Sequence, residues 1–235
     1  MHLAALVAAL VAVPVLITLA AVWRGEPSVL LGVAIYGIAL IAMIFFSLLY
    51  NHVPHPDWTA FLRRLDHSAI YLKIAGTYTP FAALSGGAGL TLLAGIWGAA
   101  VAGTGITWIA PRRAFLFGVP LCLGMGWAIL IGGGDLLAVL SPSVITMMVT
   151  GGLLYTAGTV FLMAEGLQFH NTIWHVFVMV ASVVFFAAIM THLVQTSPGS
   201  VLQEMAILEP LGAQNVAISD GNHADMVLHD GKGGL

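Results

Sequence analysis

Long apolar stretches, separated by short polar turns, occupy most of the first 195 residues. A helix that crosses the hydrocarbon core of a bilayer needs about 20 apolar residues. The breaks carry residues typical of turns, such as the glycines at 85–89 and at 132–135. The pattern therefore predicts an all-α membrane protein built as a seven-helix bundle. Its spans are expected at about residues 3–23, 28–50, 66–84, 88–109, 114–133, 143–164 and 172–194.

We expect the membrane domain to cover residues 1–195. Residues 3–23 lack a basic start and exceed the apolar core of a secretory signal, so we interpret them as a retained first helix. After Val194 the pattern becomes polar and rich in glycine. Residues 196–235 are therefore expected to form a polar, acidic tail that is largely without fixed structure.

Composition supports the membrane class. Hydrophobic residues make up 60% of the 235 residues and charged residues only 7%, whereas soluble domains carry roughly 25% charged residues. The single cysteine, Cys122, excludes both a disulfide framework and a zinc site based on cysteines. No basic stripe is present, so we expect no nucleic-acid partner.

The arginines predict the orientation in the membrane. Four of them fall in the second and fourth connections, where we expect loops, namely Arg63, Arg64, Arg112 and Arg113. Arg24 is on the opposite side. Because cytoplasmic loops are enriched in Lys and Arg, the N-terminus is predicted to be cytoplasmic and the C-terminus outside. The end of the second span and the starts of the third and seventh spans then lie together on the cytoplasmic side.

Polar side chains are concentrated at those three helix ends. An ionisable group at membrane depth costs about 2.5–3.5 kcal/mol and marks a functional site by default. Imidazole and carboxylate are zinc ligands, so one hypothesis is a metal site, and the other is a set of hydrogen-bonded interior side chains. The candidates are Ser47, Asn51, Asp66, His67, Asn171 and His175.

One face of the third span continues this polarity. Asp66 and Lys73 are seven residues apart, so they differ in direction by only about 20°, and Thr77 extends the same face. This face is expected to point into the bundle. Lys73 is either a counter-ion to an interior carboxylate or a positive charge for an anionic lipid headgroup or leaving group. Thr77 is a second candidate for lipid binding.

Three segments resemble the hemolysin III family, which belongs to the superfamily of the adiponectin and progestin receptors. They are SLLYN (47–51), LRRLDHSAIYLKIAGTYTPF (62–81) and NTIWHVFV (171–178). The resemblance covers residues from about 15 to 195. It implies a seven-helix protein of the cell (inner or plasma) membrane with a cytoplasmic N-terminus and membrane lipid as its partner.

The resemblance also implies a zinc site, with a lipid amidase (ceramidase-like) activity in which an aspartate acts through water. Its ligands are a histidine at the end of helix 2, that aspartate, and a His-x-x-x-His pair on helix 7. Asp66 matches the aspartate and His175 the second histidine of the pair, with Ser47 also intact. Asn51 and Asn171 occupy the other two histidine positions, and a neutral amide is a poor zinc ligand.

His52 and His170 offer a displaced alternative, because each is adjacent to a substituted position. A local bulge would return both towards Asp66 and His175. The site is therefore either a displaced zinc site or a metal-free hydrogen-bond network.

These observations favour a hemolysin III-like protein that acts in membrane-lipid sensing or homeostasis, with a degenerate zinc site. One alternative is a zinc-dependent lipid amide hydrolase that uses the displaced site of His52, His170, His175 and Asp66. Its catalytic candidates are Asp66 and Ser47. A second is a cytolysin or channel, although the helices show no continuous polar lining beyond the third.

Overall fold

The computed structural model describes residues 1–53, 55–164 and 166–200, and for residues 112–116 only the backbone. This part of the chain is helical and contains no β-strand, which confirms the all-α prediction. Met1–Val194 form one compact unit. Its helices are α1 (His2–Trp23), α2 (Pro27–His52), α3 (Pro56–Leu84), α4 (Leu90–Ile109), α5 (Pro111–Trp127), α6 (Ile129–Gly132), α7 (Gly134–Val139), α8 (Pro142–Met163) and α9 (His170–Gln195), the last of which extends one residue beyond the unit.

Five helices are long and apolar enough to cross a membrane, namely α1, α2, α4, α8 and α9. Together they make the chain an integral, multi-pass membrane protein. Helix α3 interrupts its apolar run with charged residues, and α5 has 17 residues. The count of seven spans and the orientation remain predictions. The side chains of Arg112 and Arg113, and the tail at 201–235, lie outside the described residues.

The third helix begins earlier than the sequence pattern suggested. We expected Arg63 and Arg64 in a loop before residue 66, but both lie within α3, which starts at Pro56. A proline in the first turn has a backbone angle suited to helix entry, and Asp57 beside it complements the positive end of the helix dipole. The hydropathy pattern indicated only where the apolar residues begin. The helix itself begins about ten residues earlier, where Pro56 and Asp57 favour helix entry.

The expected span at 114–133 is also interrupted. Helix α5 ends at Trp127, and α6 follows a turn at Ala128. Glycines recur here at 124, 126 and 132–134, and each costs about 1 kcal/mol in a helix interior relative to alanine. A helix so rich in glycine is easily broken by packing.

Helix α3 is the most enclosed element of the bundle. From Ala75 to Leu84 nearly every residue is buried, and α3 packs against α2, α4 and α5. Small residues allow this approach: a Cβ added to Gly76 would lie 2.9 Å from the Cβ of Ala39 on α2. The polar side chains on this part of α3 are thereby held inside the protein rather than towards lipid.

Candidate functional site

An elongated cavity lies inside the helix bundle, between α2, α3, α5, α8 and α9, with the first turn of α1 at one end. The space open to the centre of a water molecule is about 140 Å³, enough for roughly ten waters at the 10–15 Å³ that each needs. On α3 the lining residues run from Asp66 to Phe81, a rise of about 22 Å at 1.5 Å per residue. Most of the walls are apolar.

Three of the predicted site residues line one end of this cavity. Ser47 on α2 is buried, and its side chain lies near the carboxyl group of Asp66 on α3. His175 on α9 lines the same cavity. Side chains from three helices that are distant in sequence therefore share one polar region, as the topology argument expected.

A fourth member, His2, was missed by the sequence analysis. His2 is 6% exposed and lines the cavity, and its ring centroid is 4.5 Å from that of His175. Its Nε2 atom is buried and has no hydrogen-bond partner in the described part of the chain. The available signal was a histidine directly before an apolar span. We call His2, Ser47, Asp66 and His175 the polar end of the cavity.

The remaining candidates at this face do not line the cavity. Asn51 is exposed, and its Nδ2 donates to the Ser47 carbonyl oxygen of its own helix at 2.8 Å. His52 is also exposed, with its Nδ1 3.1 Å from the Leu48 carbonyl oxygen. Asn171 is exposed in the first turn of α9. His170 begins that helix, and its Nδ1 is buried with no hydrogen-bond partner among the residues described.

These side chains do not fit a zinc ion. A catalytic zinc site usually has three protein ligands, but no group of three or more His, Cys, Asp or Glu in the described ranges is arranged to hold a metal. The rings of His2 and His52 do approach each other, with centroids 5.7 Å apart, but they meet edge to face. The displaced set of His52, His170, His175 and Asp66 is therefore not assembled in this structure, and no chemistry is derived through a metal.

Lys73 lies deeper along the cavity wall, about 10 Å from Asp66 by the helical rise. It is 2% exposed, and its Nζ donates a hydrogen bond to the hydroxyl of Tyr155 on α8. The Tyr155 hydroxyl is 2.9 Å from that of Ser182 on α9, which itself donates to the Val178 carbonyl oxygen at 2.8 Å. Since that serine proton is in use, Tyr155 is the donor to Ser182. We call Lys73, Tyr155 and Ser182 the Lys73 centre.

Thr77 lies one turn further along α3 and also lines the cavity. Its hydroxyl donates to the Lys73 carbonyl oxygen at 2.7 Å, so its proton is satisfied within its own helix. Thr77 therefore adds only its oxygen lone pairs to the cavity wall.

The fold and this cavity define a class, the multi-pass α-helical membrane proteins with a ligand-sized space inside the bundle. The model of the family described as Haemolysin-III related matches residues 1–186. The chain belongs to that family.

Two curated relatives agree with this assignment. Hemolysin-3 of Bacillus cereus is 36% identical over 196 residues, which cover 81% of this chain and 89% of the relative. The Hemolysin-3 homolog of Bacillus subtilis (strain 168) is 35% identical over 163 residues, or 68% of this chain and 76% of the relative. No solved structure matches the chain significantly.

Proposed function

We propose that this protein acts in membrane-lipid sensing or homeostasis at the cell membrane by admitting a lipid into the cavity between its helices. The observation that carries the proposal is the cavity itself, which joins a polar end to a long apolar interior. Ligand sites are typically apolar spaces with a few convergent polar groups. The polar end is proposed to face the cytoplasm, as the arginine pattern predicts.

The walls suit an acyl chain. Met43, Ile74 and Met148 are among the apolar side chains that line the cavity, and burial of apolar surface contributes about 25 cal/mol per Å². Methionine adapts its shape to irregular partners. At the polar end, His2 Nε2 has an unused hydrogen-bonding position, which keeps that end of the cavity polar.

The proposal is tested with a neutral probe, tritiated decanol, and the full-length protein in nanodiscs. Wild type should retain decanol above the level of empty discs. Met148→Trp should fill the cavity and abolish the excess, whereas Val160→Trp should not, because Val160 on the same helix is 63% exposed. Equal retention of decanol by nanodiscs with and without the protein would contradict lipid binding in the cavity.

Cytolysis is a second candidate, and it rests on the names of the two relatives. A pore normally requires rings of polar groups, and the cavity walls are mostly apolar. Dye release from vesicles of defined composition, with added protein at increasing concentration, tests this candidate. Release that increases with protein would support it.

A further inference from the structure

The Lys73 centre places a positive charge on the wall of an apolar cavity. Lys73 is almost completely buried, and an ammonium taken out of water needs a compensating partner. Its Nζ lies over the rings of Tyr155 and Phe185, at 4.5 and 5.1 Å from their centroids. These contacts provide partial compensation, since aromatic faces attract cations.

No anion completes this arrangement within the described residues. The ion pairs found there are Arg24 with Glu26 and, at 3.9 Å, His55 with Asp57, and neither involves Lys73. The expectation that Lys73 is a counter-ion to an interior carboxylate is therefore not met in the described part of the chain. An ammonium has three N–H donors, and one is used by Tyr155. Two donors have no hydrogen-bond partner among the residues described.

The direction of the hydrogen bonds favours an anionic ligand. Ser182 donates to its own helix and accepts from Tyr155, so the Tyr155 hydroxyl is oriented to accept from Lys73. This chain of bonds holds Nζ beside the cavity without neutralising it. Ion pairing inside a protein is favourable when the remaining donors are also satisfied.

We propose that Lys73 binds the carboxylate of a single-chain lipid, a fatty acid. The inference rests on the proposed function and names the class of its ligand. A carboxylate matches the one available charge, whereas a phosphate monoester carries about −1.5 to −2 at neutral pH and would leave negative charge buried. The cavity has room for about ten waters, and at about 30 Å³ each these waters would occupy roughly 300 Å³. A space of this size suits one short acyl chain better than a phospholipid.

The cavity continues beyond Lys73 on its apolar side. The α3 lining extends from Lys73 to Phe81, a rise of about 12 Å. Trp127 and Leu137 line the cavity from other elements. A short chain with its carboxylate at Lys73 would therefore extend along this part, away from the polar end.

The test compares decanoate, decanol and decylamine, all with the same chain, on the full-length protein in nanodiscs of a zwitterionic phospholipid. Wild type should bind decanoate at least tenfold more tightly than decanol, and decylamine most weakly. Lys73→Met should bring decanoate to the affinity of decanol while decanol binding is retained. Lys232→Met, at the chain's other lysine, should change nothing. Tyr155→Phe should reduce the preference for decanoate, because Lys73 loses the partner that holds it.

The possible failures are distinct. The carboxylate site at Lys73 is wrong if decanoate and decanol bind equally to wild type, or if Lys73→Met still prefers decanoate to decanol. Either result leaves the proposal that a lipid enters the cavity unaffected. If neither probe binds, the proposed function fails and this inference fails with it. Acetate shares the charge but lacks the chain, so it should not displace decanoate; displacement at equal concentration would indicate a small-anion site and overturn the proposal. The order of affinities in wild type tests the proposal even if Lys73→Met does not fold.

Discussion

The ring of His2 packs edge-on against that of His175, with their centroids 4.5 Å apart. This contact joins the first turn of α1 to α9 at the polar end of the cavity. Because His2 is buried, the N-terminal turn covers this end rather than projecting into solvent. The start of the chain is thus part of the candidate site.

Removal of the His2 ring should open the polar end. In His2→Ala, we expect a water-soluble thiol reagent to modify Cys122, which lines the cavity, several times faster than in wild type. Leu3→Ala is the matched control, since Leu3 is the next residue and is 63% exposed. The measurement is the modification rate by mass spectrometry. Equal rates in His2→Ala and Leu3→Ala would show that His2 does not close the cavity.

Occupancy of the cavity should protect the same thiol. Cys122 is the chain's single cysteine, so its modification reports on the cavity without engineering. Saturating decanol should slow modification by at least threefold, because the chain displaces the reagent from the cavity. In a Cys122→Ser background, Val160→Cys should react at a rate that decanol does not change. Protection of both positions would indicate an effect on the bilayer and not on the cavity.

The grouping at the polar end was accessible from sequence because it follows from topology. Ser47 and His175 lie within two turns of the ends of α2 and α9, and Asp66 lies where the apolar part of α3 begins. The segments around these three residues carry the family resemblance. Neither topology nor the family segments indicated His2. A single polar residue before an apolar run forms no repeating pattern from which its position in the bundle could be predicted. The partners of Lys73 were also inaccessible: Tyr155 and Ser182 lie within apolar helices, and contacts between distant helices are set by packing.

The Ser47–Asp66 pair should contribute to stability. Loss of the hydroxyl takes a polar neighbour away from a partly buried carboxyl group, a change that costs about 1–3 kcal/mol. We expect Ser47→Ala to lower the free energy of unfolding by that amount, and Ser28→Ala, at an exposed position of α2, to change it by less than about 0.5 kcal/mol. Denaturant titration followed by circular dichroism measures both. If Asp66→Asn does not change the effect of Ser47→Ala, the two side chains are not coupled.

Close packing of α2 against α3 should make Gly76 intolerant of any side chain. A Cβ there would lie 2.9 Å from that of Ala39, and overpacking costs about 1–3 kcal/mol. We expect Gly76→Ala to destabilise the fold and Ala39→Gly to restore part of the loss. At Gly95 on α4 an added Cβ meets no atom within 4 Å, so Gly95→Ala should be neutral or stabilising. Thermal unfolding in one detergent compares the variants, and equal melting temperatures for Gly76→Ala and Gly95→Ala would contradict this packing.

Zinc should not be required for stability or for lipid binding. No group of three or more metal-binding side chains in the described residues is arranged so that it could hold an ion, and Asn51 and His52 are bonded to carbonyl oxygens of their own helix. We therefore expect a chelator to change neither the melting temperature nor decanol binding, and metal analysis to find well under one zinc per chain. Asp66→Ala and His175→Ala should leave the metal content unchanged. One zinc per chain that is lost in both variants would mean that His52 and His170 move inward to form the displaced site, and the amide-hydrolase hypothesis would then take precedence.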